Sequence, residues 1–415
     1  MTVHPILAAL RRHKAGVVLI SLQIALTLMI ICNALFIIGQ RIERIRRPTG
    51  LDESNLFLIT QSYVGAPDAD SKAGIDQLDA MERADLSTLN NLPEVESAAY
   101  SFTLPLLGST WDSGLSLKPN SKGSVTNSFY FGDERLLQGM GLELLAGRNF
   151  VSTDIQHASL GNVPTTPVIL ITEDVARQLF PGTSAIGKQI YQDDDDSPMT
   201  IIGIVKRLQT PSTDSQDADT AYNSILVPIR IDASFSRYVI RAKSGQMAQA
   251  MKSAKAALFK LNPMRAIPGD IGIRSFADIR AQAYRADLSM AALMGVLCLI
   301  LLALTAAGIV GLTSFWVGQR TKQIGMRRAL GARAIDIAYY FHIENLLITG
   351  VGMVLGLFSA IGLNRWLMHH YEMSRLPVSY VLIGIVMVLA LGQLSVWPPA
   401  RRASRITPVA AIRSS

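Results

Sequence analysis

LSMAALMGVLCLILLALTAAGIVGLTSFWVGQRTKQIGMRRALGAR, residues 288–333, joins a long stretch without a charged side chain to a strongly basic segment. A membrane-spanning helix needs about 20 predominantly apolar residues, and the charge-free stretch, residues 288–319, exceeds that length. The basic segment contains Arg320, Lys322, Arg327, Arg328 and Arg333 and no acidic residue. The sequence therefore predicts a transmembrane helix followed by a basic loop.

Three more charge-free stretches of similar length occur at residues 15–40, 345–364 and 376–400. With 49% hydrophobic residues and a mean hydropathy of +0.28 over 415 residues, the chain is too apolar for an ordinary soluble protein. We predict four transmembrane helices in a one-plus-three order, at residues 15–40, 288–319, 336–364 and 378–398. The first is interpreted as a retained signal anchor, because its apolar run is too long for a cleaved signal peptide.

The distribution of basic residues predicts the orientation of these spans. Lys and Arg accumulate in cytoplasmic loops, so the loop at residues 320–335 and the tail at residues 399–415 are predicted to be cytoplasmic. Residues 1–14 are then cytoplasmic too, and residues 41–287 and the short loop at 365–377 lie outside. The basic cluster RIERIRR, residues 41–47, is on the outer side, where we expect the first helix to continue as a stalk until Pro48.

The net charge of +7 is unevenly divided along the chain. Residues 1–50 carry a net +6 and residues 286–415 a net +7, whereas residues 51–285 carry a net −6. The basic excess flanks the spans and the large middle segment is acidic, which argues against nucleic-acid binding. The two cysteines, Cys32 and Cys298, fall inside predicted spans and are expected to pack as small apolar side chains.

The segment 41–287 alternates patterns typical of helices and strands, which predicts a large α+β domain on helical stalks. Pro, Gly or runs of polar residues mark the boundaries of its predicted elements. These elements are a helix at DAMERADLSTLNNLP (79–93), a strand and helix at PVILITEDVARQLF (167–180), a hairpin at GKQIYQDDDDSPMTIIGIVK (187–206), a strand at RYVIRA (237–242), a helix at MAQAMKSAKAALFKLNP (247–263), a second stalk at SFADIRAQAYRADL (275–288) and a mobile loop at QTPSTDSQDAD (209–219).

Several short motifs suggest chemistry but lack its full pattern. GTSAIGKQI, residues 182–190, is one residue from a phosphate-binding loop, with Gln189 where the Mg²⁺-binding hydroxyl should be, and it leads into a strand rather than a helix. The acidic run 193–196 has no calcium-loop spacing and is predicted to be a hairpin tip. His369, His370 and Glu372 lack the spacing of a zinc site. No catalytic constellation is predicted, and no metal site.

Polar and small residues within the third predicted span are predicted to make specific contacts. Glu344 lies near the cytoplasmic end of the span, where we expect it to pair with a nearby Arg rather than to relay protons. Gly352 and Gly356 form a GxxxG face that Ala360 extends at the same spacing, so we predict helix–helix packing there, within one chain or between two.

The loop QRTKQIGMRRALGARAID, residues 319–336, is the most informative segment. Gly331 suits the position just after a helix C-terminus, where basic side chains of the last turn are favourable. Ile324, Met326 and Leu330 are expected to give the helix an apolar side for docking. On composition alone, a simple positive-inside anchor is the favoured explanation of the loop.

This loop resembles the cytoplasmic loop of MacB/FtsX-type ABC permeases, whose usual form is close to R-T-x-E-I-G-x-R-R-A-L-G-A. FHIENLLITGVGMVLG (341–356), PARRASRITPVAAIR (399–413) and the outer segments MGLELLAGRNF (140–150) and TIIGIV (200–205) are similar to family segments too. The resemblance implies a non-catalytic permease subunit without a fused ATPase domain, in the bacterial inner membrane with both termini cytoplasmic. Gln323 departs from the family, which commonly has Glu there.

The resemblance also implies partners and a site. The protein itself would need no cofactor, because ATP and Mg²⁺ would bind to separate cytoplasmic ABC ATPase subunits; a second permease copy or paralogue, a periplasmic adaptor and membrane lipids are further candidate partners. ATP hydrolysis would then move the outer domains for export or mechanotransmission. The residues implied in ATPase coupling are Arg320, Lys322, Gln323, Ile324, Gly325, Met326, Arg327, Arg328, Ala329, Leu330 and Gly331. The alternative is a membrane sensor whose outer domain binds a ligand.

Overall fold

The computed structural model describes residues 14–108, 111–213, 220–371 and 375–406. The chain forms two compact units, a membrane unit within Met1–Arg46 and Ala286–Ser415 and a large domain of Arg47–Arg285. Most of the predicted N-terminal segment 1–14, the end of the tail and residues 214–219 of the predicted mobile loop lie outside the described residues.

Four long helices of the membrane unit are long and apolar enough to cross a membrane, which confirms the predicted one-plus-three order. A short helix lies between the second and the third of them. Numbered in chain order together with α2–α6 of the large domain, the five helices of the membrane unit are α1 (Lys14–Arg46), α7 (Arg285–Gln319), α8 (Thr321–Ala329), α9 (Ala334–Tyr371) and α10 (Val378–Ser404).

These helices extend beyond the predicted spans. Helix α1 continues to Arg46, as the stalk prediction requires, and stops just before Pro48. Helix α9 continues to Tyr371, so most of the predicted loop 365–377 is helical, because no Gly or Pro interrupts the sequence there. Helix α10 begins after Pro377 and passes through Pro398 and Pro399 to Ser404.

Polar contacts join α7 to α1 within the membrane unit. The hydroxyl groups of Thr27 and Thr305, both buried, are 2.7 Å apart. The Gln23 amide donates to the carbonyl of Leu304 over 3.1 Å, and Arg41 forms an ion pair with the buried Asp287. Buried hydrogen bonds of this kind contribute about 1 kcal/mol each between membrane helices and fix the register of the pair.

The large domain contains five helices of its own and fourteen strands among the described residues, which confirms the predicted α+β class. The helices are α2 (Lys72–Asn90), α3 (Leu136–Met140), α4 (Glu173–Leu179), α5 (Met247–Leu261) and α6 (Phe276–Ala283). The strands are β1 (Leu56–Tyr63), β2 (Val95–Tyr100), β3 (Asp112–Ser116), β4 (Val125–Phe131), β5 (Leu144–Gly147), β6 (Gln156–Ala158), β7 (Val168–Thr172), β8 (Gln189–Gln192), β9 (Met199–Val205), β10 (Ser224–Val227), β11 (Ile229–Ile231), β12 (Phe235–Ala242), β13 (Arg265–Ala266) and β14 (Ile273–Ser275).

One sheet is antiparallel, with strand order β13-β1-β12-β2 and β14 also paired to β1. Helices α2 and α5 bury their apolar residues in the same core as this sheet, which includes Leu89, Tyr238 and Leu258. The hydroxyl of Ser71 caps α2 by accepting from the amide of Gly74 over 3.1 Å, which satisfies one of the free N–H groups at the helix start.

The second sheet has strand order β5-β9-β7-β10-β4-β3-β8, and β8 also pairs with β9. Six strands therefore form a closed ring around their own core. The predicted hairpin is confirmed as β8 and β9, with Gln189 opposite Thr200 and Ile190 opposite Met199. A separate two-stranded ladder, β6 with β11, is parallel.

The other predicted helices and strands of the large domain are also found, with one difference, whereas the mobility of the loop at 209–219 stays a prediction. The second stalk was predicted as one helix, but α6 ends at Ala283 and α7 begins at Arg285. Tyr284, between them, is buried in the large domain, and its hydroxyl accepts a hydrogen bond from Gln209 over 3.1 Å. Burial of this side chain outweighs the local preference for a continuous helix.

Candidate functional site

The basic loop folds into the nine-residue helix α8, and its sequence explains both ends. The Thr321 hydroxyl donates to the carbonyl of Gly318 at the end of α7 over 2.9 Å. Gly331 has φ +98° after the last turn, a backbone conformation that favours glycine. The amide of Gly331 donates to Arg328 O over 3.2 Å and the amide of Ala332 to Arg327 O over 3.0 Å, which is the Schellman pattern. The predicted position of Gly331 just after a helix C-terminus is confirmed.

One side of α8 is fixed to the rest of the membrane unit. Arg320 donates from one guanidinium nitrogen to both carboxylate oxygens of Glu344 on α9, over 2.9 and 3.1 Å, which confirms the predicted pairing of Glu344. The guanidinium also lies 5.9 Å from the ring centre of Trp316. Removing one partner of such a buried pair costs about 3–5 kcal/mol, because the other charge is left uncompensated.

Two more residues complete this inner side at one-turn intervals. Ile324 is only 6% exposed and belongs to the apolar core of the membrane unit. Arg328 donates to the carbonyl oxygen of Ser404 over 2.5 Å, at the C-terminal end of α10, where a positive charge is favoured by the helix dipole. Through Arg320, Ile324 and Arg328, helix α8 is attached to α9 and α10 as well as to α7.

The opposite side of α8 is open. Met326 is 62% exposed and Leu330 85% exposed, and the two side chains are neighbours on one side of the helix because they are four residues apart. Arg327 is exposed and lies over the Tyr340 ring at 5.3 Å. The remaining exposed residues of this outer face are Lys322, Gln323 and Ala329.

The predicted docking side therefore needs one correction. Ile324 was grouped with Met326 and Leu330, but it faces the interior because it lies half a turn from Met326 on the helix. Gly325 is also buried. The outer face, defined by Lys322, Gln323, Met326, Arg327, Ala329 and Leu330, combines apolar and basic groups with no carboxylate.

The GxxxG face of α9 packs against α1 of the same chain. A Cβ atom on Gly352 would lie 2.8 Å from the carbonyl oxygen of Ser21, and one on Gly356 would lie 2.9 Å from that of Ala25. Ala360, one step further, is fully buried, and Asn33 donates to its carbonyl over 3.3 Å. The small residues thus let two backbones approach each other within the membrane unit.

The motifs that resembled nucleotide or metal sites have structural roles. Gly182 and Gly187 have positive φ angles in a turn that leads into β8, and Lys188 contacts Thr183 over 2.7 Å and the Phe180 ring at 4.4 Å. No helix N-terminus follows this turn in the described chain, so it has no phosphate-loop geometry.

The acidic run and the histidine pair are also accounted for by local contacts. Asp193 accepts from the amides of Gly114 and Gly123, and Asp195 accepts from the Thr165 hydroxyl over 2.6 Å, so these carboxylates tie loops together. His370 stacks on Trp366, with ring centres 4.7 Å apart. Glu372 lies outside the described residues.

Two contacts of α8 were not predictable from the sequence. Trp316 and Ser404 carry no motif that marks them as partners of Arg320 and Arg328, since Ser404 is 76 positions away from Arg328. Only the spacing of Trp316 and Arg320, one helical turn apart, was available as a signal. A further group in the large domain, around His157, was also missed and is described below.

Known proteins similar to this chain are transporter components. It is 27% identical to the macrolide export ATP-binding/permease protein MacB of Rhodospirillum rubrum over 276 residues, which is 64% of this chain and 40% of that protein. It is 24% identical to YvrN of Bacillus subtilis, an uncharacterized ABC transporter permease, over 72% of this chain and 75% of the relative. The chain spans less than half the length of the MacB relatives.

Among solved structures, the periplasmic region of MacB from Actinobacillus actinomycetemcomitans is 15% identical, with a TM-score of 0.33 over 58% of this chain and 97% of that one. The extracellular domain of the transporter YknZ from Gram-positive bacteria is 15% identical, with a TM-score of 0.31 over 52% of this chain and 98% of that one.

Two family models match in succession. Residues 295–408 match the FtsX-like permease C-terminal model, and residues 14–257 match the MacB-like periplasmic core domain. The second match alone covers more than half of the chain, and the two together include all or most of each of the four candidate spans. The chain belongs to the MacB/FtsX-type family of ABC transporter permeases.

Proposed function

We propose that this chain is the permease subunit that couples ATP hydrolysis in separate cytoplasmic ABC ATPase subunits to movement of the large domain, for export or mechanotransmission. It would act in the bacterial inner membrane, paired with a second copy or a paralogue. The observation that carries the proposal is the division of α8 into a fixed inner side and an exposed outer face that is both apolar and basic. Exposed apolar side chains beside cations are typical of a protein-docking surface.

The inner side of α8 supports a role in transmitting force. A push on the outer face would be passed to α9 through Arg320 and Glu344, and to α10 through Arg328 and Ser404. Helix α9 in turn packs on α1 through Gly352. The large domain follows α1 and precedes α7 in the chain. A movement of α1 and α7 would therefore be transmitted to both ends of that domain.

The outer face also indicates the chemistry of the partner surface. Met326 and Leu330 need an apolar pocket, whereas Lys322 and Arg327 favour nearby carboxylates. Gln323 is exposed on this face and carries no charge. We therefore expect an acidic rim around a hydrophobic pocket on the ATPase, without a basic residue opposite Gln323.

Reconstitution with the ABC ATPases of the source bacterium tests the proposal. One ATPase should co-purify with the full-length permease, and its ATP turnover should change on association. Met326→Asp and Leu330→Asp should each weaken association at least about tenfold, because a carboxylate would be placed in an apolar pocket.

Met264→Asp is the matched control for this experiment. Met264 has nearly the same exposure, 57%, but lies in the large domain, so its substitution should leave association unchanged. If no ATPase associates with the wild-type chain, or if all three variants behave alike, the coupling function is wrong.

A further inference from the structure

Three potential metal ligands meet in the large domain, away from α8. Asp79 lies on α2, His157 on β6, and Asp232 directly follows β11. The ladder of β6 and β11 sets His157 opposite Arg230, and the amide of Asp232 donates to the carbonyl of Ala158 over 2.9 Å. Nδ1 of His157 is 2.9 Å from Oδ2 of Asp232 and 3.7 Å from Oδ1 of Asp79.

These side chains are surrounded by more acidic than basic groups. Glu82 and Asp133 are also buried, which makes four buried carboxylates with Asp79 and Asp232. The buried cation that faces them is Arg230, with one nitrogen 2.9 Å from Asp79 and another 3.8 Å from Glu82. Arg83 pairs with Asp79 as well, but from the solvent side, with its side chain 65% exposed.

Part of this carboxylate set has unused acceptors. Glu82 is fully buried, and neither of its oxygens accepts a hydrogen bond from a described residue; the same holds for Oδ1 of the fully buried Asp232. Glu82 points toward the cluster, because its Oε2 is nearest to the guanidinium that also bonds Asp79. A buried carboxylate without donors is costly unless a cation compensates it.

A cleft gives solvent access to the cluster. Its volume is about 490 Å³, and its walls include Asp79, Asp133, His157 and Arg230. His157 is partly exposed, with a side-chain exposure of 36%, whereas the carboxylates lie deeper. An ion can therefore reach the imidazole first and the acidic groups behind it.

We propose that Asp79, His157 and Asp232 bind a Zn²⁺ ion, with water as the fourth ligand. The ligand atoms all lie within 4.8 Å of one another. Their separations of 2.9 and 3.7 Å bracket the roughly 3.3 Å between neighbouring ligands in a tetrahedral site with bonds of about 2.0–2.1 Å. One imidazole and two carboxylates suit zinc, whereas Mg²⁺ and Ca²⁺ prefer sites made of oxygen alone.

The ion would replace two existing contacts, and the first is the hydrogen bond between Nδ1 of His157 and Oδ2 of Asp232. In the second, Arg230 donates to Oδ1 of Asp79, so zinc binding requires this guanidinium to shift toward Glu82 and Asp133, which already lie beside it. Binding would then hold α2 against the β6–β11 ladder in the large domain. This proposal is independent of the ATPase-docking function of α8.

Zinc binding to the full-length protein in detergent tests the inference. The protein should carry no polyhistidine tag and should be stripped with a chelator before calorimetric titration with Zn²⁺. We expect one equivalent per chain, with Mg²⁺ and Ca²⁺ at least about tenfold weaker. Co²⁺ in the same site should give the visible absorption of a four-coordinate centre, which reports on the wild-type chain without any substitution.

His157→Gln and Asp232→Asn should each lower zinc affinity at least about tenfold, since each removes a ligand. His369→Gln is the matched control, because His369 is an exposed histidine outside the cluster and its loss should change nothing. The inference is overturned if the wild type binds no zinc, if His157→Gln binds as tightly as the wild type, or if Co²⁺ shows only a six-coordinate spectrum.

Discussion

At the residue scale, the pair of Arg320 and Glu344 decides how α8 is attached. Glu344 is 2% exposed, at the start of a span whose next twenty residues carry no charge, and its two oxygens both accept from Arg320. The pair is therefore a buried ion pair rather than a surface one. It stabilises the fold only while both partners are present, because either charge alone would be buried without compensation.

Substitutions of this pair should be strongly non-additive. Glu344→Ala should lower the free energy of unfolding by about 3–5 kcal/mol, because Arg320 would keep a buried charge without a partner. Arg320→Met combined with Glu344→Met should recover most of that loss. Thermal unfolding of the detergent-solubilised protein measures both effects, and a double variant as unstable as the single one would contradict the explanation.

Asp133 in the large domain makes a different kind of contribution. It is 4% exposed, and burial raises the pKa of its carboxyl to about 6, against the partial compensation of Arg230. The folded state thus binds this proton more tightly than the unfolded state, so stability falls as pH rises from about 4 to about 6. At about 1.4 kcal/mol per pKa unit the cost reaches up to about 3 kcal/mol above pH 6.

Asp133→Asn should therefore stabilise the large domain at pH 7.5 and change its stability much less at pH 4.5. Trp111 is the single tryptophan of the large domain, so a W316F/W366F/W397F background lets its fluorescence report unfolding there. The measurement is made with chelator present. The exposed Asp270, changed to Asn, serves as control, and equal gains at both pH values would refute the assignment.

At the element scale, the packing of α9 on α1 depends on Gly356. Gly356→Leu should separate the two helices, since the added carbon would lie 2.9 Å from the backbone of Ala25. Gly362→Leu on the same helix is the matched control, because nothing lies within 4 Å of its Cβ position. The unfolding temperature in detergent should fall by several degrees for Gly356→Leu alone; equal losses would exclude this face as the contact.

Local signals explain which elements were predictable. The length of the apolar stretches predicted the four long helices, and Gly331 predicted the end of α8, because both signals depend on residues close together in sequence. The inward direction of Ile324 was not predictable, since it depends on where α9 and α10 pack. Likewise, the ring of six strands closes because β8 pairs with both β3 and β9, and no local sequence pattern predicts this double pairing.

The candidate sites follow the same rule. The outer face of α8 lies within one continuous segment, so the sequence could mark the segment, but it could not separate the exposed residues from the inner ones such as Ile324 and Gly325. Its docking role stays a prediction. The group of Asp79, His157 and Asp232 comes from three distant segments and has no spacing that a sequence motif would show. The three side chains come together only when α2 packs against the β6–β11 ladder.

At the scale of the whole molecule, the orientation in the membrane is a prediction from the distribution of charge, and it can be measured directly. The two native cysteines are buried in spans, so a C32A/C298A chain is a suitable background for single cysteines. Lys255→Cys in the large domain should react with an impermeant maleimide in intact spheroplasts, whereas Gln323→Cys on α8 should react only after permeabilisation. The reverse pattern would invert the proposed topology.

The closed ring of β3, β4, β10, β7, β9 and β8 also restricts how the large domain can recruit a partner. Sheets with a free edge can be extended by a strand from another protein, and the same free edge promotes aggregation. In the ring, each of these strands has a neighbour on both sides, so its backbone donors and acceptors are already engaged. Recognition at this ring must therefore rely on side chains, whereas the other sheet keeps the edge strands β2 and β13, to which a partner strand could be added.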